Sequence, residues 1–369
     1  MDTPPAAGAR RPLAVVNPRA GRGRAGRGLG SLLGELRAAL GELDMVETRH
    51  PGHAVALAAA AAAEHRPLVI SVGGDGTLNE VVNGLLAGRC AGGDAAPHPF
   101  AEPAAGGAAT LPRLGLLTTG SGGDFGRALG IPHRPEAYIA AIVGGGERAV
   151  DVGCARFTGH DGTPTDRYWI NVLSAGLGGL VDRYVAATPG FVDGRLAYAQ
   201  ATLRAFTVAR RVALRCRAAL PDGSASDRIL DAYAVVVCNG SSFGGGMKVA
   251  PMAQPDDGLL DVITLETESR LTLLRRFATV YAGKHLTEPG VGHFRCRSLE
   301  LSAVPGSVAA PAAGAEAGRP ARLAASGRPA RRAPRAGLFP LDVDGDALGD
   351  IPLSVRLLPG ALRICAPGA

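Results

Sequence analysis

Three short loops carry the residues that could do chemistry. The most telling is Gly73-Gly74-Asp75-Gly76-Thr77, which follows the apolar run Pro67 to Val72 and precedes the helical stretch Asn79 to Leu86. Glycines there open backbone conformations closed to other residues and let an anion approach closely. Amides at a helix N-terminus then bind phosphate. Asp75 would repel bare phosphate, so an acid in this loop points to a metal–nucleotide with Mg2+ between the charges. The first apolar run ends in Asn17-Pro18-Arg19-Ala20-Gly21, where Gly21 to Gly26 formally spell a dinucleotide fingerprint. No acid closes the second strand as a ribose clamp would require, and no Walker A sequence occurs. The third loop, Thr119 to Phe125, again joins a strand to a helix. Three strand ends rich in glycine and hydroxyl groups line one crevice of an open sheet. Two acidic turns lie later, Asp256-Asp257-Gly258 and Asp344-Gly345-Asp346. For the second, the plain alternative is a solvated hairpin turn leading into a strand that begins near Pro352.

The elements that must position these loops alternate as βαβ units. Leu13 to Pro18, Asp44 to Thr48, Pro67 to Val72 and Arg113 to Thr118 read as strands of an open α/β sheet, with helices between them. The Gly/Ala/Pro-rich stretch 87–112 reads as a surface insertion. After about Val150 the periodicity changes to two, predicting a mostly antiparallel β-sandwich interrupted by helices near Leu196 to Ala209 and Leu271 to Ala282. The expected division is a nucleotide-binding α/β domain over 11–150, completed by the C-terminal segment 351–369. A β-rich substrate domain spans 151–350.

Composition excludes several classes. The net charge is +6, but the tract 304–337 holds six arginines against Glu316 alone, so the remainder is nearly neutral and nucleic acid is not expected as a partner. That tract reads as a disordered insertion, with contact to anionic headgroups as the sharper alternative. Six scattered cysteines show neither zinc spacing nor a disulfide framework. No signal-peptide h-region is present, and the run Ala54 to Ala63 is too short to span a bilayer. These features predict a reduced cytoplasmic protein, peripheral at the inner membrane face if it touches membrane at all.

Asn17 to Gly21, the extended motif Gly73 to Gly84, Gly120 to Pro132, Asn239-Gly240, Gly244 to Gly246, Ala250-Pro251, Asp256 to Asp261 and Asp344 to Asp346 fall in an order that resembles the diacylglycerol kinase catalytic-domain family, which includes bacterial lipid kinases and sphingosine kinases. The resemblance implies an NAD kinase/phosphofructokinase-like α/β domain joined to an antiparallel β-sandwich. It implies a lipid kinase transferring the γ-phosphate of ATP to a hydroxyl of a diacylglycerol-like or sphingoid lipid at a membrane surface, in a chain that could pair as a homodimer. By similarity, Asn17, Gly21, Thr48, Gly74, Asp75, Gly76, Thr77, Leu78, Asn79 and Ser121 would contact ATP. Gln254, Asp257 and Leu259 would hold a structural Mg2+, largely through carbonyls. Asp346 would be the general base, with Asp75 helping to organise a catalytic Mg2+. Two positions depart from the family pattern: Asp346 stands where glutamate is usual, and Gly123 where a nucleotide-orienting asparagine is usual. An NAD kinase-like enzyme shares the glycine loop, and a catalytically silent nucleotide- or lipid-binding regulator would explain the two departures.

Overall fold

The computed structural model describes residues 10–21, 29–87, 111–120, 122–188, 194–266, 269, 272, 274, 278–306 and 339–367. Ser121, most of the Gly21–Gly26 segment, most of the insertion at 87–112, most of the basic tract with all its arginines and most of the helix expected after Leu271 lie outside these residues.

The first half contains β1 (Leu13–Val16), α1 (Leu29–Leu40), β2 (Asp44–Glu47), α2 (His53–Ala63), β3 (Leu68–Gly73), α3 (Asp75–Leu85), β4 (Arg113–Thr118), α4 (Asp124–Ala128) and α5 (Pro135–Val143). β1 pairs in parallel with β2 and β3, and β3 with β4. β1 and β3 are buried throughout, as expected of parallel strands covered on both faces. Gly84 lets α3 lie against α2: a Cβ there would meet the Val55 carbonyl at 2.3 Å.

The second half contains β5 (Glu147–Gly159), β6 (Pro164–Trp169), β7 (Val172–Gly176), α6 (Leu177–Ala187), α7 (Gly194–Val208), β8 (Val212–Ala219), β9 (Ala225–Ala232), β10 (Ala234–Cys238), β11 (Leu260–Leu265), β12 (Val291–Cys296), β13 (Ser298–Ala303), β14 (Pro340–Val343) and β15 (Asp346–Cys365). Apart from one parallel register of β15, its pairings are antiparallel. Pro221-Asp222-Gly223, with Gly223 at φ 86°, turns β8 into β9. One continuous path runs β12-β11-β10-β7-β14-β15-β4-β3-β1-β2, with β13, β8, β9, β5 and β6 branching from it. The long β15 is the seam: it pairs with β14 and β13, runs antiparallel to β5, and meets β4 in parallel at Ile364 and Leu114. The expected fold class, an open α/β sheet with a β-sandwich-like second half, is what is found.

Two features differ from expectation. α6 forms in the glycine-rich Leu177–Ala187, which carries no strong helical signal. Its glycines are there for proximity: a Cβ on Gly178 would meet Ser174 Oγ at 2.1 Å, and one on Gly179 the Pro340 carbonyl at 2.3 Å. The expectation of a chain without disulfides is also overturned, since Cys154 on β5 is disulfide-bonded. Cys216, Cys238, Cys296 and Cys365 are free and buried. Among the described residues, no helix is long and apolar enough to cross a membrane.

Candidate active site

Each of the three loops leaves the carboxyl end of a parallel strand, and backbone and side chains tie them together. Asn17 Nδ2 donates to Thr77 Oγ1 at 2.9 Å, joining the loop after β1 to the start of α3. Gly21, at φ 61°, lies against the third loop, where a Cβ would come within 3.3 Å of the Thr119 carbonyl. Thr48 extends β2 by donating its amide to the Val16 carbonyl at 2.7 Å. Gly74 and Gly76 have open space where a side chain would stand, at the exposed N-terminus of an eleven-residue helix. That is the setting in which amides and the helix dipole hold phosphate.

Asp75 faces inward. Its Oδ2 accepts from the Gly123 amide at 3.0 Å, yet burial first, and then the neighbouring Asp124 carboxylate, push its pKa up to about 6. Asp124 is buried and pairs with Arg127 at 2.7 Å while accepting from the Gly245 amide at 2.8 Å.

Across the crevice stands the hairpin between β14 and β15. Asp344 and Gly345 sit at φ 51° and 92°, the signature of a two-residue type I′ turn. The Asp-Gly segment is thus a hairpin turn in which Gly345 is exposed while the Asp344 side chain turns inward. Asp344 Oδ2 accepts from Asn79 Nδ2 at 2.8 Å and the Ile170 amide at 2.9 Å, and Oδ1 from the Asn171 and Val172 amides at 3.0 Å. Even with four donors, burial raises the Asp344 pKa. Asp346 opens β15 at the turn's far side, its side chain about half exposed (48%) and 3.5 Å from Arg167; burial against its neighbours raises its pKa, partly offset by Arg167.

A cavity of about 300 Å³ lies between these walls. Asp75, Asp124, Asp182, Asp342, Asp344 and Asp346 line it together with Gly76, Gly122 and Gly245, and no lysine or arginine does so among the described residues. A second, apolar cavity of about 90 Å³ adjoins it, lined among others by Leu177, Val181, Phe206, Val236, Met247 and Ile263. Tyr198 and Phe243 border both. Sequence reading missed Asp124, Asp182 and Asp342; an acid opening the short helix after the third glycine loop was the available signal for the first, and nothing local marked the other two.

The remaining expected residues fall elsewhere. The side chain of Asn79 is fully buried and spent on Asp344, the Tyr168 carbonyl and Asn83, so it fixes the late turn instead of facing the cleft. Leu78 lines the cavity. Glu80, inside the extended motif, accepts the Gly52 and Ala54 amides and caps α2. Gln254, Asp257 and Leu259 do not line the cavity. Asp257 Oδ1 accepts from the Leu259 amide at 3.0 Å and Oδ2 contacts the Arg295 guanidinium. Beside it, Arg148 holds Asp256 through two bonds of 2.6 and 2.7 Å, and Asp151 takes the Gly258 and Gly360 amides. The carboxylates of this turn are met by protein cations and amides, so an ion there would rest on the backbone carbonyls of Gln254, Asp257 and Leu259, as the resemblance implies, and not on the Asp257 side chain. Among the described residues no group of three or more histidine, cysteine or acidic side chains is arranged to hold a metal ion; in the cavity Asp124 pairs with Arg127 and Asp344 takes four donors, which leaves Asp75 as the carboxylate that would meet an ion carried in by a nucleotide.

A family model for the diacylglycerol kinase catalytic domain matches residues 11–155, and one for the YegS C-terminal NAD kinase beta sandwich-like domain matches residues 171–331. A protein of Chromohalobacter salexigens named "Probable lipid kinase YegS-like" is 28% identical over 91% of this chain and 87% of its own length. A protein named diacylglycerol kinase from Staphylococcus aureus is 28% identical over 79% of this chain and 81% of its own. A crystal structure titled as a diacylglycerol kinase of Bacillus anthracis shares the fold, at 21% identity, a TM-score of 0.60 and 98% coverage of both chains.

Proposed function

Since the chain belongs to the diacylglycerol kinase catalytic-domain family and is a kinase that phosphorylates an alcohol group of a lipid, we propose that it takes the phosphate from Mg2+-ATP and passes it to a hydroxyl held at the junction of the two cavities. One observation carries this reading: a cavity lined by six carboxylates and an apolar cavity share Tyr198 and Phe243 as a common border. An acceptor with a hydroxyl on an apolar body, diacylglycerol-like or sphingoid, matches that division, and a membrane surface is where it would be met.

In this reading the amides at Gly74 and Gly76 and the N-terminus of α3 hold the nucleotide phosphates, and Asn17 fixes Thr77 so that the loop keeps its shape. Asp75 would hold the ion, which when bound neutralises charge on the transferring phosphoryl group. Asp346 accepts the acceptor's hydroxyl proton. Asp344, immobilised by four donors, sets the turn from which Asp346 projects, and Arg167 partly offsets the burial that raises the Asp346 pKa. The test is transfer of label from γ-labelled ATP to a broad lipid panel with Mg2+, with Asp75→Ala as control. Labelled lipid made by the wild type and lost in the variant supports the reading; no labelled lipid from any acceptor sinks it and leaves a nucleotide- or lipid-binding regulator.

A further inference from the structure

Ser174, Tyr198 and His285 are the polar side chains on the wall of the apolar cavity. Tyr198 stands at the border with the acidic cavity, and Ser174 Oγ lies 3.5 Å from Asp342 Oδ2. His285 stands apart from both, lining the apolar cavity and not the acidic one. The wall that carries it can be followed from the border inward. Phe243, at the border, exchanges two backbone bonds of 3.1 and 3.0 Å with Met247; Val249 follows two residues on, and His285 is fastened to Val249. Met247, Val249 and His285 all line the apolar cavity.

His285 opens a short 3-10 turn, His285–Thr287, and is 3% exposed. Its Nε2 lies 2.9 Å from the Val249 carbonyl oxygen. A carbonyl only accepts, so Nε2 carries the hydrogen. Burial lowers the pKa of the ring, which keeps it neutral and leaves Nδ1 a bare acceptor. No donor among the described residues reaches that buried Nδ1. An acceptor enclosed without a donor costs free energy, and a ligand that brings a donor recovers it. Holding Val249 needs Nε2 alone, so the second nitrogen is the one left for a ligand.

We propose that His285 Nδ1 accepts a hydrogen bond from a hydroxyl carried on the apolar body of the acceptor lipid, away from the hydroxyl that is phosphorylated. The substrate class is then a lipid with a hydroxylated acyl chain. A plain hydrocarbon chain offers Nδ1 nothing, and an ester carbonyl, itself only an acceptor, cannot answer it. This rests on the lipid kinase reading above and adds the chain that the apolar cavity selects. The bond is made in ground state and transition state alike, so it lowers acceptor KM and leaves kcat alone. Satisfying a buried acceptor corresponds to a preference of about fivefold or more.

The experiment uses γ-labelled ATP and monoacylglycerols of one chain length, either unsubstituted, or carrying a single hydroxyl at graded positions along the chain, or carrying the methyl ether of that hydroxyl. KM and kcat are measured for each acceptor, with KM for ATP beside them. One hydroxyl position should lower KM at least about fivefold against both the plain chain and its own methyl ether, which accepts but does not donate. His285→Gln, which keeps a donor for the Val249 carbonyl and places no acceptor at Nδ1, should lose that preference with KM for ATP unchanged. His285→Phe should lose it too; should it fail to fold in a thermal melt, the glutamine variant and the wild-type series carry the comparison. A wild type indifferent to the hydroxyl at every position, or a His285→Gln variant that keeps the preference, overturns the inference while the kinase stands. A wild type that labels neither these nor any other lipid overturns the reading beneath it.

Discussion

Asn79, in the second turn of the helix behind the glycine loop, donates its side-chain amide at 2.8 Å to Asp344, 265 positions later in the chain. The same amide reaches the Tyr168 carbonyl at 3.1 Å, so one buried side chain ties the nucleotide loop to the hairpin that presents Asp346.

Removing that tie should cost both stability and turnover. Asn79→Ala leaves a buried carboxylate one donor short, which destabilises by about 1–3 kcal/mol. Asn79→Asp sets two carboxylates together and should be worse. Urea unfolding read beside kcat checks this, with kcat expected to fall more than KM for ATP rises, because the base moves while the phosphate loop stays.

Asp75 gives a pH dependence whose direction follows from its folded pKa of about 6, above its ordinary 3.8. The protonated form favours folding, so its contribution is full below about pH 4 and is lost as pH rises through 6. At pH 8, nucleotide-free Asp75→Asn should be more stable than wild type by up to about 3 kcal/mol, with no gain at pH 4. It should also be inactive. Thermal melts at the two pH values decide the matter.

Much of this was legible beforehand, for identifiable reasons. Leu13–Val16 and Leu68–Gly73 are short apolar runs ending in glycine loops, a pattern that local sequence states outright. The type I′ turn is written as Asp344-Gly345. What local sequence could not state was contact across the chain. Asn79 carries the same motif whether it faces nucleotide or Asp344, and Asp182 sits in a stretch whose glycines are explained by close packing on Ser174 and Pro340, a contact that local sequence does not show. Asp257 likewise sits in a turn that resembles a cation site, while its neutralising group, Arg295, comes from a strand 38 positions away.

The Gly123 departure has a steric counterpart. Its φ of 65° is left-handed, its amide caps Asp75, and a Cβ there would lie 2.3 Å from His133 Nδ1. Gly123→Asn should therefore impair activity when introduced alone. Combined with His133→Ala it should recover part of the loss, because the obstructing ring is gone. Kinetics of the two single variants and the double, read as a cycle, test this.

Metal removal separates the turn at Asp257 from the acidic cavity. With Arg295 and Arg148 meeting its carboxylates, a chelator should leave the melting temperature of the nucleotide-free protein unchanged. Arg295→Gln should lower it by a few degrees, about the effect of 1 kcal/mol, and Mg2+ should restore part of that loss by occupying the freed carboxylate. A melting temperature that falls on chelation of the wild type would point instead to an ion held by the backbone carbonyls of Gln254, Asp257 and Leu259.

The lipid kinase reading proposed above requires that part of an acceptor's apolar body enter the cavity bounded by Val181, Val236 and Met247 while its hydroxyl enters the acidic one. The most direct measurement is label transfer from γ-labelled ATP to acceptors of one headgroup and graded acyl length, in wild type and in Met247→Trp, which narrows the apolar cavity. The wild type should label lipid acceptors and not short water-soluble alcohols, and Met247→Trp should shift the preferred acyl length downward with KM for ATP unchanged. Equal labelling of short alcohols and lipids, or a length profile indifferent to the filled cavity, would contradict it.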